Sequence, residues 1–382
     1  MVLVFFAVAY TLRKEPFKVL LIFCHIIVIF LLNDVLFPAS YMPDQFRYVR
    51  VTQELRGFED PSEKLNSTIG FSSLLFSALP IPFINSVHSI AMMNFLIFLV
   101  LFLFIKKFGL HSQKVDYFYL IFPSLLLYSS LALRDMLVLF FMFISIYAVI
   151  VKENFFLGLL LGIPILLLKF QNYLIILGGI ILFFYLKNAG KRRYLFLGLF
   201  VFLAAFIPEK IPIVKQLYEK IEWWRFALFA DQYSYNMDVI NRMKQYYEPL
   251  GTGIILLYQV FKYFIYMILK PLIWEADNPF QFIQSIENVV IFGMIIWVNH
   301  LKIFNEKIRQ KILFLNCLLF VSMTINGLVV FNFGSAARYK FPFIVIYFVY
   351  FFYLLKSDEL FVHQAKTAWN GNSPISPTLS ID

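Results

Sequence analysis

The sequence predicts an all-α protein that crosses a membrane many times, on three observations. Hydrophobic residues make up 61% of the chain and charged residues only 15%, against about 25% charged in soluble proteins. Apolar runs of about 15 to 20 residues recur from end to end, the length that crosses a hydrocarbon layer roughly 30 Å thick. The runs are continuous rather than alternating, which excludes an outer-membrane barrel. With 382 residues, 48 of them Phe, no soluble core could hide so much apolar surface.

Taken in order, Met1–Leu12 is a short first span. Val19–Phe37, Val87–Ile105, Tyr117–Leu133 and Met136–Val151 follow. Phe155–Leu168 and Tyr173–Leu186 form a hairpin broken at Lys169-Phe170-Gln171-Asn172, because one helix of 32 residues would reach about 48 Å, too far for one crossing. Tyr194–Ile207, Phe282–Val298, Ile312–Phe331 and Phe341–Leu355 complete the set. Phe71–Ile84 is too short and carries two prolines, so it reads as interfacial or re-entrant. Gly251–Ile273 is interrupted by Gln259, Lys262 and Lys270 and reads as re-entrant or surface-lying. The expected architecture is a single transmembrane domain over 1–356 with about 11 transmembrane helices, then a polar, disordered cytoplasmic tail over 357–382.

Charge sets the orientation. Arg13–Lys18, Lys106–Asp116, Lys152–Glu153, Lys187–Arg193, His300–Lys311 and the tail from Lys356 hold 17 Lys and Arg against 7 Asp and Glu. The remainder holds 16 of each sign, so these short loops carry the whole net charge of +10. The positive-inside rule then puts them in the cytoplasm, with the N-terminus outside and the C-terminus inside. Two long segments, Pro38–Asn85 and Pro208–Pro279, face outward, and function is expected there.

Several classes are set aside. The basic excess lies in short membrane-flanking loops, so nucleic acid is not an expected partner. Cys24 and Cys317 lie inside apolar runs and do not read as a disulfide framework. The five histidines are scattered without metal-ligand spacing, and no Gly-rich phosphate loop or Asp-x-Asp motif occurs. Neither metal nor cofactor is expected. The first basic cluster follows the first apolar stretch, which disfavours a cleaved signal peptide.

Charges recur at the outer ends of the expected helices: Asp44, Arg47 and Arg50, the adjacent Arg134 and Asp135, Lys169 at the hairpin tip, Glu275, Asp277, Arg338 and Lys340. Ionisable groups at that depth are costly and usually face a cavity. Guanidinium and ammonium groups suit diphosphate, and a carboxylate within reach of a sugar hydroxyl suits a general base. The candidate bases are Asp44, Glu275 and Asp135. Arg47, Arg50, Arg134, Lys169, Arg338 and Lys340 are the candidate diphosphate ligands, and Tyr41 and Tyr48 flank Asp44 as platforms for a sugar ring. Asp135 beside Arg134 is expected to orient it, while the apolar surroundings of Glu275 are expected to raise its pKa. Glu287, about a third of the way into a span, is expected either against a basic partner or near the cavity. Glu222, Trp223, Trp224 and Arg225 read as an amphipathic surface helix with an aromatic belt. Gly158-x-x-x-Gly162 reads as a helix-packing motif.

Asp44-Gln-Phe-Arg-Tyr48, Leu133-Arg-Asp135, the stretch Lys270-Pro-Leu-Ile-Trp-Glu-Ala-Asp-Asn278 with Glu287 after it, and Gly334-Ser-Ala-Ala-Arg338 together resemble bacterial O-antigen (Wzy-type) polysaccharide polymerases. The resemblance covers nearly the whole chain in order and topology, although two long Arg-rich periplasmic loops of some such polymerases are lacking. It implies an inner-membrane glycosyltransferase of the membrane C-type architecture, acting in lipopolysaccharide or related polysaccharide biosynthesis. Such an enzyme transfers a chain from undecaprenyl diphosphate to the non-reducing end of another lipid-linked repeat unit, at the periplasmic face. The implied partners are undecaprenyl-diphosphate-linked oligosaccharides, membrane lipids and a chain-length regulator protein. An acidic residue early in the first outer loop is similar to the arrangement of membrane C-type enzymes, which favours Asp44 over Glu275 and Asp135 as base. A ligase or other lipid-linked-sugar transferase is the alternative, and a lipid-linked oligosaccharide flippase a more distant one, since charges within spans are almost absent.

Overall fold

The computed structural model describes residues 2–32, 44–57, 68–79, 86–188, 212–231, 247–330 and 333–369. Among them every regular element is helical. The first helices are α1 (Val2–Thr11), α2 (Pro16–Leu32), α3 (Asp44–Arg56), α4 (Thr68–Ala78) and α5 (Val87–Lys107). Next come α6 (Gln113–Ile121), α7 (Pro123–Ser129), α8 (Asp135–Ile150), α9 (Phe155–Leu161) and α10 (Ile163–Asn188). The chain ends with α11 (Pro212–Asp231), α12 (Ile254–Leu269), a 3-10 turn at Ile273–Glu275, α13 (Pro279–His300), α14 (Glu306–Val329) and α15 (Phe333–Trp369). Five helices among the described residues are long and apolar enough to cross a membrane: α5, α10, α13, α14 and α15. Large apolar side chains lie bare on the outside, among them Phe156, Val290 and Trp274. Such a surface is at home in lipid rather than in water.

Phenylalanine and isoleucine fill the interior around α15, whose residues Phe341 to Leu355 are nearly all buried against α6, α8 and α14. Close approach elsewhere uses small residues, as in other membrane bundles. The Ser145 hydroxyl of α8 donates to the Gly158 carbonyl at 2.7 Å, and a Cβ on Gly158 would meet Val149 at 2.5 Å. The expected packing motif therefore joins α8 to α9.

The expected hairpin is present. Lys169 has non-helical backbone angles (φ −159°, ψ 77°) inside α10. Phe155 stacks on Phe183 and touches Phe184, with ring centroids 5.9 and 4.6 Å apart, so the limb after Lys169 runs back alongside the limb before it. Tyr117–Leu133, expected as one span, is two short helices instead. Pro123 forces Phe122 into an extended conformation (ψ 115°) and starts α7 afresh. At the far end, α15 continues to Trp369, so the tail expected from residue 357 begins as helix. Buried Asp358 anchors it by accepting from the N–H groups of Phe304 and Asn305 at 3.3 and 2.9 Å. The expected span at 194–207 and residues 370–382 lie outside the described residues.

Among the described residues, the loops read as basic share one end of the bundle. Lys18 and Lys106 both reach Asp116 at 2.6 Å. Lys356 donates to the His111 carbonyl at 3.1 Å, and Lys114 pairs with Glu359 at 3.4 Å. Lys311 pairs with Glu153 at 2.7 Å. The N-terminus of α8, the Lys169 turn and the start of α15 lie at the opposite end. From that end α12 dips into the bundle: Arg225 joins Tyr263 of α12 to the Leu328 carbonyl at the top of α14. Asn288, well inside α13, receives the other end of α12 by donating to the carbonyls of Leu269 and Lys270 at 3.2 and 2.8 Å. The chain then returns to the start of α13.

Candidate active site

At the end opposite the basic loops, α2, α3, α7, α13 and α15 enclose a cavity of about 580 Å³. One wall is apolar, with Val28, Leu32, Phe280 and Ile283, while Asp44, Arg47, Gln281, Gln284, Glu287 and Arg338 bring polar groups to it. Local sequence explains the placement. Asp44 opens α3, where a carboxylate meets the positive end of the helix. Arg47 lies one turn on and 3.6 Å from it. Asn278 caps α13 by accepting from the Gln281 N–H at 3.0 Å, and Pro279 fills the first turn. Gln281, Gln284 and Glu287 then recur every three residues along one face.

Arg338 is the hub. Its Nε donates to Asp135 at 2.6 Å and its Nη1 to Asp44 at 3.3 Å. Lys169 approaches Asp135 from behind, 3.9 Å away, and lies 3.8 Å from the centre of the Tyr339 ring. The loop that presents Asp135 is pinned on both sides. Asn94 donates to the Leu131 and Leu133 carbonyls at 2.6 Å each, and Gln45 accepts from the Ala132 N–H at 2.8 Å. Arg134 Nη1 is buried with no hydrogen-bond partner among the described residues. Four basic side chains (Arg47, Arg134, Lys169, Arg338) thus stand around two carboxylates (Asp44, Asp135), and with Glu287 as a third carboxylate deeper in the cavity the basic groups outnumber the acidic by one.

No protein family, curated protein or solved structure matches this chain.

Of the expected site residues, Asp44, Arg47 and Arg338 line the cavity, while Arg134, Asp135 and Lys169 stand behind them. The others are placed differently. Tyr48 is 2% exposed, packed inside α3 with its carbonyl accepting from Thr52 and Ser73, so it offers no face to a sugar ring. Burial raises its pKa, against the pull of Arg134 and Arg338. Arg50 points outward and pairs with Glu54 at 2.9 Å. Lys340 follows Arg338 by two residues, about 200° around the helix, and faces the other way. It is buried, donating to Asn288 at 2.5 Å and to the Met267 carbonyl at 3.4 Å. Glu275 lies outside the cavity lining, held by Lys270 at 2.7 Å and the Leu272 N–H at 2.9 Å. Burial pushes its pKa up, but those two donors outweigh it and the net shift is downward, the reverse of the expected direction. Tyr41 lies outside the described residues. Arg225, expected on a surface face, is fully buried, while its neighbours Trp223 and Trp224 are exposed.

Glu287 lines the inner part of the cavity and has a job already. Its carboxylate accepts from the Ser124 N–H at 2.8 Å and the Ser124 hydroxyl at 2.6 Å. The break at Pro123 leaves the first N–H groups of α7 without intrahelical partners, and Glu287 caps them from across the cavity. Asp44 is the carboxylate on this wall whose side chain is still substantially exposed, at 41%. Gln281, Gln284 and Ser124 were not singled out in the sequence; the three-residue recurrence through α13 is the signal that marks the two glutamines.

Proposed function

We propose that this protein polymerises polyprenyl-diphosphate-linked oligosaccharide repeat units by inverting glycosyl transfer. The observation that carries the reading is the amphipathic cavity in which basic groups gather around one accessible carboxylate, remote from the basic loops. Under the positive-inside rule those loops lie in the cytoplasm and the cavity opens to the outer, periplasmic face. The topology proposed with it has eleven crossings, with the N-terminus outside, the C-terminus inside and α12 re-entrant from the outer side.

Each part of the substrate finds matching chemistry. The diphosphate meets the Arg47 and Arg338 guanidiniums, with Arg134 behind them. The polyprenyl chain lies against Val28, Leu32 and Ile283 and leaves towards lipid. Gln281 and Gln284 offer amide donors and acceptors to sugar hydroxyls. Asp44 takes the proton from the acceptor hydroxyl as its oxygen bonds to the anomeric carbon. The bond from that carbon to the diphosphate oxygen breaks, and the electron pair leaves with the diphosphate, where the arginines stabilise it. Asp135 holds Arg338 in place and takes no part in proton transfer.

Deletion in the native cell, followed by gel analysis of surface polysaccharide, tests the reading. A single capped repeat unit in place of the long ladder is the expected result. Complete loss of the cap points to ligation or export and contradicts polymerisation.

A further inference from the structure

The basic end of the bundle holds a second cavity, of about 260 Å³. Its floor is apolar and includes Phe155, Phe183 and Phe314, and its rim carries Lys187, Lys307, Lys311 and one carboxylate, Glu153. The lysines come from separate elements, Lys187 from the last turn of α10 and the other two from the start of α14. Lys311 pairs with Glu153 at 2.7 Å, while Lys187 and Lys307 are exposed. All three act on the same small volume: the Lys311 hydrogen bond, opposed by burial and reinforced by Lys307 and Lys187, holds the Glu153 carboxyl below the usual range. One carboxylate among three ammonium groups leaves the rim with two surplus positive charges.

The α14 backbone N–H groups are not the attraction, since the Asn305 side chain already accepts from Lys307 and Ile308. The floor is continuous with a bare apolar face. Ile181 and Phe184 are 60% and 38% exposed on α10, and Phe184 packs on Phe155 of the floor at 4.6 Å. We propose that this cavity binds the phosphodiester head group of an anionic membrane phospholipid, with its acyl chains along the Ile181 and Phe184 face. Basic pockets between helices at the cytoplasmic side suit such head groups. A free phosphate ion gains nothing from the phenylalanine floor, which is why the lipid is favoured. The inference is independent of the glycosyl-transfer reading.

Native mass spectrometry of the full chain, purified in detergent and titrated with phosphatidylglycerol or phosphatidylcholine, tests it. Wild type is expected to retain phosphatidylglycerol selectively. The Lys187→Gln/Lys307→Gln double variant should weaken its apparent Kd by about tenfold or more, and Glu153→Gln should tighten it by removing the competing carboxylate. That opposite response separates a site from a general loss of fold, and thermal midpoints in phosphatidylcholine provide a second check. Equal phosphatidylglycerol affinity in wild type and the double variant overturns the proposal. So does weaker binding by Glu153→Gln, or displacement of the lipid by millimolar inorganic phosphate, which would make this a phosphate site.

Discussion

Arg338 grips Asp135 through Nε and Asp44 through Nη1, a two-ended hold that a single ammonium cannot reproduce. Arg338→Lys keeps the charge and loses one of the two contacts. With a charge-assisted hydrogen bond contributing about 1.5–3 kcal/mol, polymerisation should slow about tenfold or more at normal protein level, as band intensities on a gel would read. Glu275→Gln, by contrast, should leave the rate within about twofold, because Glu275 is committed to Lys270 and Leu272 outside the cavity. The Asp44–Arg47 pair and the Arg134–Asp135 dipeptide were legible in the sequence because each stands at a helix start. Tyr48 was misplaced for a visible reason. Gln45, Tyr48, Val49 and Thr52 follow the spacing of one helical face, and all four are buried. Lys340 was misplaced because charge alone does not say which way round a continuous helix a residue points.

Helix breaks do as much as helices to build the cavity. Pro123 ends α6 and exposes the start of α7, which Glu287 then caps from α13. Glu287→Ala leaves the Ser124 N–H buried and unpaired, and should cost about 1–3 kcal/mol, read as a lowered thermal midpoint in detergent. Gly327 plays the complementary part against the body of α12. A Cβ there would lie 2.4 Å from the Tyr263 carbonyl oxygen, a contact that backbone cannot relieve cheaply. Gly327→Ala should therefore destabilise by about 1–3 kcal/mol, and unchanged melting would show that α12 does not lie so close. The Lys169 turn was legible from length alone, since an unbroken helix would overshoot the membrane. The break at Pro123 was not foreseen, because apolar continuity through Tyr117–Leu133 outweighed one proline. The continuation of α15 past Lys356 was hidden similarly, since the polar stretch there masks the buried anchor Asp358.

Across the molecule, charge divides into a basic end knitted by Asp116, Glu153 and Asp358 and an opposite end where Arg338 organises the cavity. The sequence foretold this division, because loop charge needs no knowledge of packing. The enclosure of the cavity was not foretold, since it depends on five helices meeting. Single cysteines at Glu219 and Glu306, both exposed, should label from opposite faces of the membrane, and labelling of both from one face would remove the proposed topology. The reaction proposed for the cavity is polymerisation of lipid-diphosphate-linked sugar with Asp44 as base. Purified protein, supplied with a polyprenyl-diphosphate-linked repeat unit, tests it directly. Wild type should give a ladder rising by one repeat unit per step with one polyprenyl diphosphate freed per linkage, and Asp44→Asn should slow it by about 10²–10⁴. A wild-type reaction that leaves the single repeat unit unchanged, or an Asp44→Asn ladder at the wild-type rate, would contradict the claim.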